Sequence, residues 1–236
     1  MRLEFLSAGA ARSLVGEVAR RSGVEVAGSF GAVGAMREKF LDGDPCDVLI
    51  LTRAQIEELA KQGRVRRDSC ADLGRVETCI AVRAGDSPPD ISDEHRLRDA
   101  LAAADAIYLP DPRTATAGIH FAQVIEALGL HPAIDSRLKT FPNGATAMRE
   151  MAAASGHPIG CTQATEILAT PGIALVAPLP GKFALATVYT AAVSAQATQE
   201  LGAREFIAQL TSEALRETRT RIGFSSPVVP AKAGIQ

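Results

Sequence analysis

At 236 residues the chain is long enough to bury a full core, in one large domain or two small ones. Its 25 basic and 27 acidic residues nearly cancel and form no basic block, which argues against a nucleic-acid partner. Hydrophobic residues make up 47% and aromatics only 4%, with no tryptophan, so helices packed closely on sheets are expected in place of an aromatic stacking surface.

A strand–helix rhythm runs along the whole chain. Residues 3–6 read as a strand, followed by a helix over 11–22 with Leu14, Val15, Val18 and Ala19 on one face. Residues 24–30 and 35–41 repeat the pattern. The run Asp47-Val48-Leu49-Ile50-Leu51 reads as a buried parallel strand and leads into a helix carrying Ile56, Leu59 and Ala60. A strand over 76–82 is followed by the polar break Asp86-Ser87-Pro88-Pro89-Asp90. A second set begins at Ala106-Ile107-Tyr108-Leu109-Pro110, with helices near 119–128 and 145–154. Strands over 173–177 and 184–195, separated by Pro178-Leu179-Pro180-Gly181, lead to two closing helices near 200–210 and 212–221. Alternation of this kind means α/β with parallel strands.

The two breaks bracket a self-contained α/β segment. We therefore expect a first lobe of residues 1–80 plus 190–224 and a second of residues 84–181, joined by crossing strands near 77–83 and 182–189. Residues 225–236 carry no helical or strand period and resemble the translated end of a repetitive bacterial DNA element, so a disordered tail is expected there. Cys46, Cys70, Cys79 and Cys161 show neither a C-x-x-C pair nor a histidine at metal-ligand spacing and read as buried free thiols. No metal and no cofactor is expected. No run approaches the roughly 20 apolar residues that span a bilayer, so membrane insertion is not expected either. The stretch after Met1-Arg2 is too short for the apolar core of a signal peptide. As written the protein is expected in the cytoplasm, and in the periplasm if its true start lies elsewhere.

Two short turns carry the most information: Ser7-Ala8-Gly9-Ala10-Ala11-Arg12 and Ser29-Phe30-Gly31-Ala32-Val33-Gly34. Each ends a strand and opens a helix, aiming unpaired N–H groups and the positive end of a helix dipole above the sheet. Two of them in successive βα units make an anion cleft the natural expectation. These turns, with Pro45-Cys46-Asp47-Val48-Leu49-Ile50, the stretch from Asp111-Pro112 to Ala117-Gly118, Asn143-Gly144-Ala145 and Gly160-Cys161-Thr162-Gln163-Ala164-Thr165-Glu166, resemble the type 2 periplasmic-binding-protein fold. The resemblance spans residues 2–224 and is nearest to the molybdate-binding proteins of ABC transporters. It implies two α/β lobes with a ligand cleft between them and, for an exported protein, an ABC permease as partner.

The departures bear on the ligand. In the molybdate-binding family, serine hydroxyls at the first two turns hold the oxyanion and a second-lobe tyrosine completes the shell. Here Gly9 or Ala10 stands for the first serine, Ala32 and Val33 for the second pair, and Gln163 for the tyrosine. A hydrogen bond to a charged group is worth about 1.5–3 kcal/mol, so losing three disfavours molybdate. The resemblance places Gly9, Ala10, Ala32, Val33, Thr116, Ala117, Gly144 and Gln163 around the ligand. Arg12 and Arg113 offer bidentate forks for a carboxylate, or are simply solvated. Thr114 and Thr116 also read as N-caps of the following helix. His120 and Glu166 are the acid/base candidates if the protein is an enzyme, with His120 preferred because imidazole titrates near neutrality. Ser7 has no neighbouring His or Asp, so nucleophilic catalysis is not expected.

Three functions follow. One is a solute-binding protein that closes on a small anion, a carboxylate in preference to molybdate. Another is a cytoplasmic isomerase of an unsaturated polycarboxylate, since aconitate isomerase resembles the molybdate-binding proteins. The last is a ligand-sensing domain that signals to a separate protein.

Overall fold

The computed structural model describes residues 1–225. The first βα units are β1 (Arg2–Ala8), α1 (Arg12–Ser22), β2 (Glu25–Gly31), α2 (Val33–Leu41), β3 (Val48–Thr52) and α3 (Arg53–Lys61). Leu14, Val15 and Val18 form the buried face of α1, and Gly23 ends it in the left-handed conformation that a Cβ would disfavour. A long strand, β4 (Ala71–Arg83), then leads to α4 (Glu94–Ala103), β5 (Ile107–Pro110), α5 (Thr116–Ala127), β6 (Leu138–Phe141) and α6 (Gly144–Ala152). The chain closes with β7 (Ile159–Gln163), α7 (Ala164–Leu168), β8 (Ile173–Pro178), β9 (Ala186–Val193), α8 (Glu200–Thr211) and α9 (Arg216–Arg221).

Strand pairing divides these elements into the two lobes of the fold. In one, β1 lies parallel to β2 and β3, and β9 runs antiparallel between β3 and β4. In the other, β5 is parallel to β6 and β7, while β7 and β8 flank β4 antiparallel. The hinge of this pattern is β4. Its residues 71–77 pair with β9 and its residues 78–83 with β7 and β8, so the hydrogen-bonded path is continuous from one lobe to the other. The sequence placed the first crossing at 77–83 and began the strand at 76; it begins five residues earlier, at Ala71.

Two apolar cores match the two strand groups. The larger gathers Leu3, Phe5, Leu14, Leu49, Ile50 and Phe206, with the Phe5 ring edge-on to Phe206 at 5.2 Å. The smaller gathers Ile80, Leu97, Leu101, Ile107, Phe121 and Ile125. The larger core also takes in Ala147, Met148 and Met151 of α6 and Ala164 and Ile167 of α7, so packing continues across the cleft. Asp47, only 2% exposed, ties the first lobe together. Its carboxylate accepts the N–H groups of Glu4 at 2.9 Å, Thr198 at 2.8 Å and Gln199 at 3.0 Å.

Several readings need correction. α4 and β6 were not expected: α4 shows the core only Leu97 and Leu101 among charged residues, and β6 is a four-residue strand. Neither Thr114 nor Thr116 caps α5, whose N-cap is Ala115 with no side-chain hydrogen bond. Cys46, Cys79 and Cys161 are buried free thiols, but Cys70 is exposed. Ser225, assigned to the tail, exchanges backbone hydrogen bonds of 2.8 and 2.9 Å with Arg75. The rest of the expected tail, residues 226–236, lies outside the described residues. Among the described residues no helix is long and apolar enough to cross a membrane, and no three His, Cys, Asp or Glu are placed to hold a metal ion.

Candidate functional site

The parallel register of β1 and β2 sets Ala8 opposite Gly31, so the two glycine turns lie side by side at the same sheet edge. Gly9 and Ala10 form a short 3-10 turn before α1, and Ala32 is the N-cap of α2. Facing them across the cleft are Pro110, Ala115, Thr116 and Ala117 from the β5–α5 connection, and Asn143-Gly144 at the head of α6. Thr162, Gln163 and Glu166 at the β7–α7 junction and Tyr189 on β9 complete the lining. Together they enclose a cavity of about 20 Å³, room for one or two water-sized groups. Neither α2 nor α5 carries a side-chain cap, so the positive ends of both helices meet the cavity without a side chain bonded to their first N–H groups.

Gln163 is the most exceptional residue in this wall. It is 3% exposed, and neither its amide oxygen nor its amide nitrogen has a hydrogen-bond partner within the protein. A buried polar group left unpaired costs about 1–3 kcal/mol, so a chain keeps one where something else completes it.

Glu166 is the third residue of α7; its carboxylate accepts the Thr162 hydroxyl at 2.6 Å and lies beside the backbone N–H groups of Ala145 and Gln163. Burial pushes the Glu166 carboxyl up from its ordinary range, and these groups and Arg12 only partly counter it. Two glycines make its position available. A Cβ on Gly144 would collide with Thr162 Oγ1 and Glu166 Oε2, and one on Gly9 would come within 2.7 Å of Glu166 Oε1. The head of α6 and the first turn of the other lobe both approach this carboxyl as bare backbone.

Beside the cavity lies a larger groove of about 570 Å³ that shares Gly9, Asn143 and Glu166 with it. Arg12 lines the groove, with its guanidinium 4.6 Å above the Phe30 ring. The structure therefore brings Gly9, Ala10, Ala32, Val33, Thr116, Ala117, Gly144, Gln163 and Glu166 to one cavity and Arg12 to its neighbour. It does not bring in Arg113 or His120. The Arg113 side chain is 85% exposed and lies 3.6 Å from Asp111, whose carboxylate also accepts the Arg113 N–H at 2.7 Å. His120 is turned the other way on α5, with Nε2 2.7 Å from the Phe183 carbonyl oxygen, and it lines neither space. Of the two acid/base candidates, Glu166 borders the cavity and His120 does not.

Tyr189 was missed. It is 1% exposed, and burial raises its pKa, with the neighbouring Thr116 side chain partly offsetting this. Reading Gln163 as standing for a lost tyrosine was incomplete, because a tyrosine reaches the cavity from β9. The signal available was a lone tyrosine in an otherwise small and β-branched strand.

The chain resembles solved binding proteins over nearly its whole length. The periplasmic molybdate-binding protein of Azotobacter vinelandii superposes with a TM-score of 0.72 at 18% identity, covering 95% of this chain and 99% of that one. The sulfate-binding protein SubI of Mycobacterium tuberculosis gives 0.71 at 19% identity, covering 98% and 88%. Among curated proteins, an aconitate isomerase of a Pseudomonas species is 25% identical over 180 residues, 76% of this chain and 67% of that protein. The model for bacterial extracellular solute-binding proteins matches residues 6–225, and the chain belongs to that family.

Proposed function

We propose that the protein binds a small carboxylate between its lobes, in preference to molybdate. The observation that carries this reading is Gln163, whose buried amide offers a donor and an acceptor to the cavity and has no partner in the protein. Ala8, Ala10, Ala32, Val33, Ala115 and Ala117 add apolar side chains to the wall, surfaces that suit carbon, where the molybdate-binding family has hydroxyls at the first two turns. Two serine positions of the molybdate-binding family are without hydroxyls here, which at about 1.5–3 kcal/mol each weakens molybdate by roughly two to four orders of magnitude. Glu166 adds to this. A dianion beside a second carboxyl must be met by a proton, and a singly charged carboxylate demands less. If the protein is exported, its partner is an ABC permease.

A thermal-shift panel of molybdate, sulfate and mono-, di- and tricarboxylates tests the reading, since a ligand that binds only the folded state raises its stability. Carboxylates should shift the wild type, and the shift should vanish in Gln163→Met. A shift produced by molybdate alone overturns the proposal.

A second reading is favoured by Glu166. Burial brings this carboxyl closer to neutrality, where a general acid/base is most effective, and it borders the cavity in a relative of aconitate isomerase. In the cytoplasm the same cleft would then isomerise an unsaturated polycarboxylate. Incubation with cis- or trans-aconitate in deuterated water should place solvent label in recovered substrate or product. Tight binding without exchange rules the isomerase out.

A further inference from the structure

We infer that the groove beside the cavity is a second anion subsite, in which Arg12 and Arg149 hold the far carboxylate of a dicarboxylate whose near carboxylate meets Gln163. The inference rests on the carboxylate reading above and extends it to a ligand class.

Size is the first reason. A space of about 20 Å³ accepts little more than one carboxylate head, whereas the groove of about 570 Å³ that shares Gly9, Asn143 and Glu166 with it accommodates the rest of a longer molecule. Charge is the second. Arg12 at the head of α1 and Arg149 on α6 line the groove from opposite lobes. Neither belongs to an ion pair among the described residues. Among the described residues Glu166 is the one acid lining the groove; it is bonded to Thr162, and burial raises its pKa. Two arginines against one acid leave the groove lining with an excess of positive charge.

Both guanidiniums are held by contacts that leave N–H edges open. Arg12 lies on the Phe30 face, and the Arg149 Nη2 donates to Thr146 Oγ1 at 3.2 Å. Thr165, which also lines the groove and is 2% exposed, keeps a hydroxyl with no partner. Two planar forks from facing lobes match a carboxylate that would be gripped only as the lobes meet.

Calorimetric titration of acetate, malonate, succinate, glutarate and tricarballylate into wild type, Arg12→Gln and Arg149→Gln tests this, with Lys61→Gln on α3 as a charge control. At least one dicarboxylate should bind the wild type tenfold or more tighter than acetate. Each arginine variant should lose about tenfold for that dicarboxylate while acetate affinity stays within twofold, and Lys61→Gln should change neither. Unfolding temperatures close to wild type establish that the variants fold. Equal affinity for acetate and dicarboxylates, or arginine variants that bind the dicarboxylate as wild type does, overturns the subsite and leaves the carboxylate reading standing. Binding of molybdate with no carboxylate overturns both.

Discussion

At the scale of single residues, two side chains in the cavity each cost stability. Gln163 buries an amide with nothing to bond, so Gln163→Met, which keeps a similar length and removes the polar atoms, should stabilise the ligand-free protein. About 1–3 kcal/mol is expected, a rise of several degrees in Tm for a protein of this size. Chemical denaturation of both proteins without ligand reads it directly, and a less stable variant would mean that the amide has partners inside the fold. Glu166 acts through its proton. Its carboxyl is raised from the ordinary value of 4.5, mainly by burial. Above that value the folded protein holds a proton that the unfolded chain has released, so stability falls as pH rises from about 4.5 through the raised folded pKa. Glu166→Gln removes the titration, and its unfolding free energy should be flatter across that window. Parallel curves for the two proteins would show that Glu166 is ionised throughout.

At the scale of elements, close approach is built on glycines at helix starts. The N–H of Gly34 on α2 donates to the Thr114 carbonyl across the cleft at 2.9 Å, and a Cβ there would sit 3.0 Å from the Thr114 oxygen and 3.2 Å from its Cα. Gly34→Ala should therefore hold the lobes apart and weaken ligand binding by about tenfold with little effect on the unfolding midpoint, since the lobes can separate without unfolding. Unchanged affinity would show that the backbone there yields. Much of this layer was legible in the sequence. Short strands followed by small residues and amphipathic helices marked the two glycine turns, because a turn at a strand's end is defined locally, whereas only the family resemblance set Gly144 and Gln163 beside them. Tyr189 was not legible, since its place depends on the register of β9 between β3 and β4, which is a matter of tertiary pairing. The orientation of His120 was not legible for a related reason. Its position on α5 was correct, but the phase of the helix turns the ring to Phe183. α4 escaped notice because only Leu97 and Leu101 mark its buried face.

At the scale of the whole molecule, β4 and the connection from β8 to β9 carry the chain between lobes whose facing edges make the cavity and the groove. Such an arrangement couples ligand capture to closure, so a carboxylate that binds should compact the protein in solution, measurable as a smaller radius of gyration by X-ray scattering. No change on saturation would mean that the lobes are fixed. The most direct measurement is a calorimetric comparison of molybdate with succinate on the wild-type protein at one pH and ionic strength. The account predicts that succinate binds and that molybdate shows no sub-micromolar affinity. Sub-micromolar molybdate with no heat from succinate would contradict it.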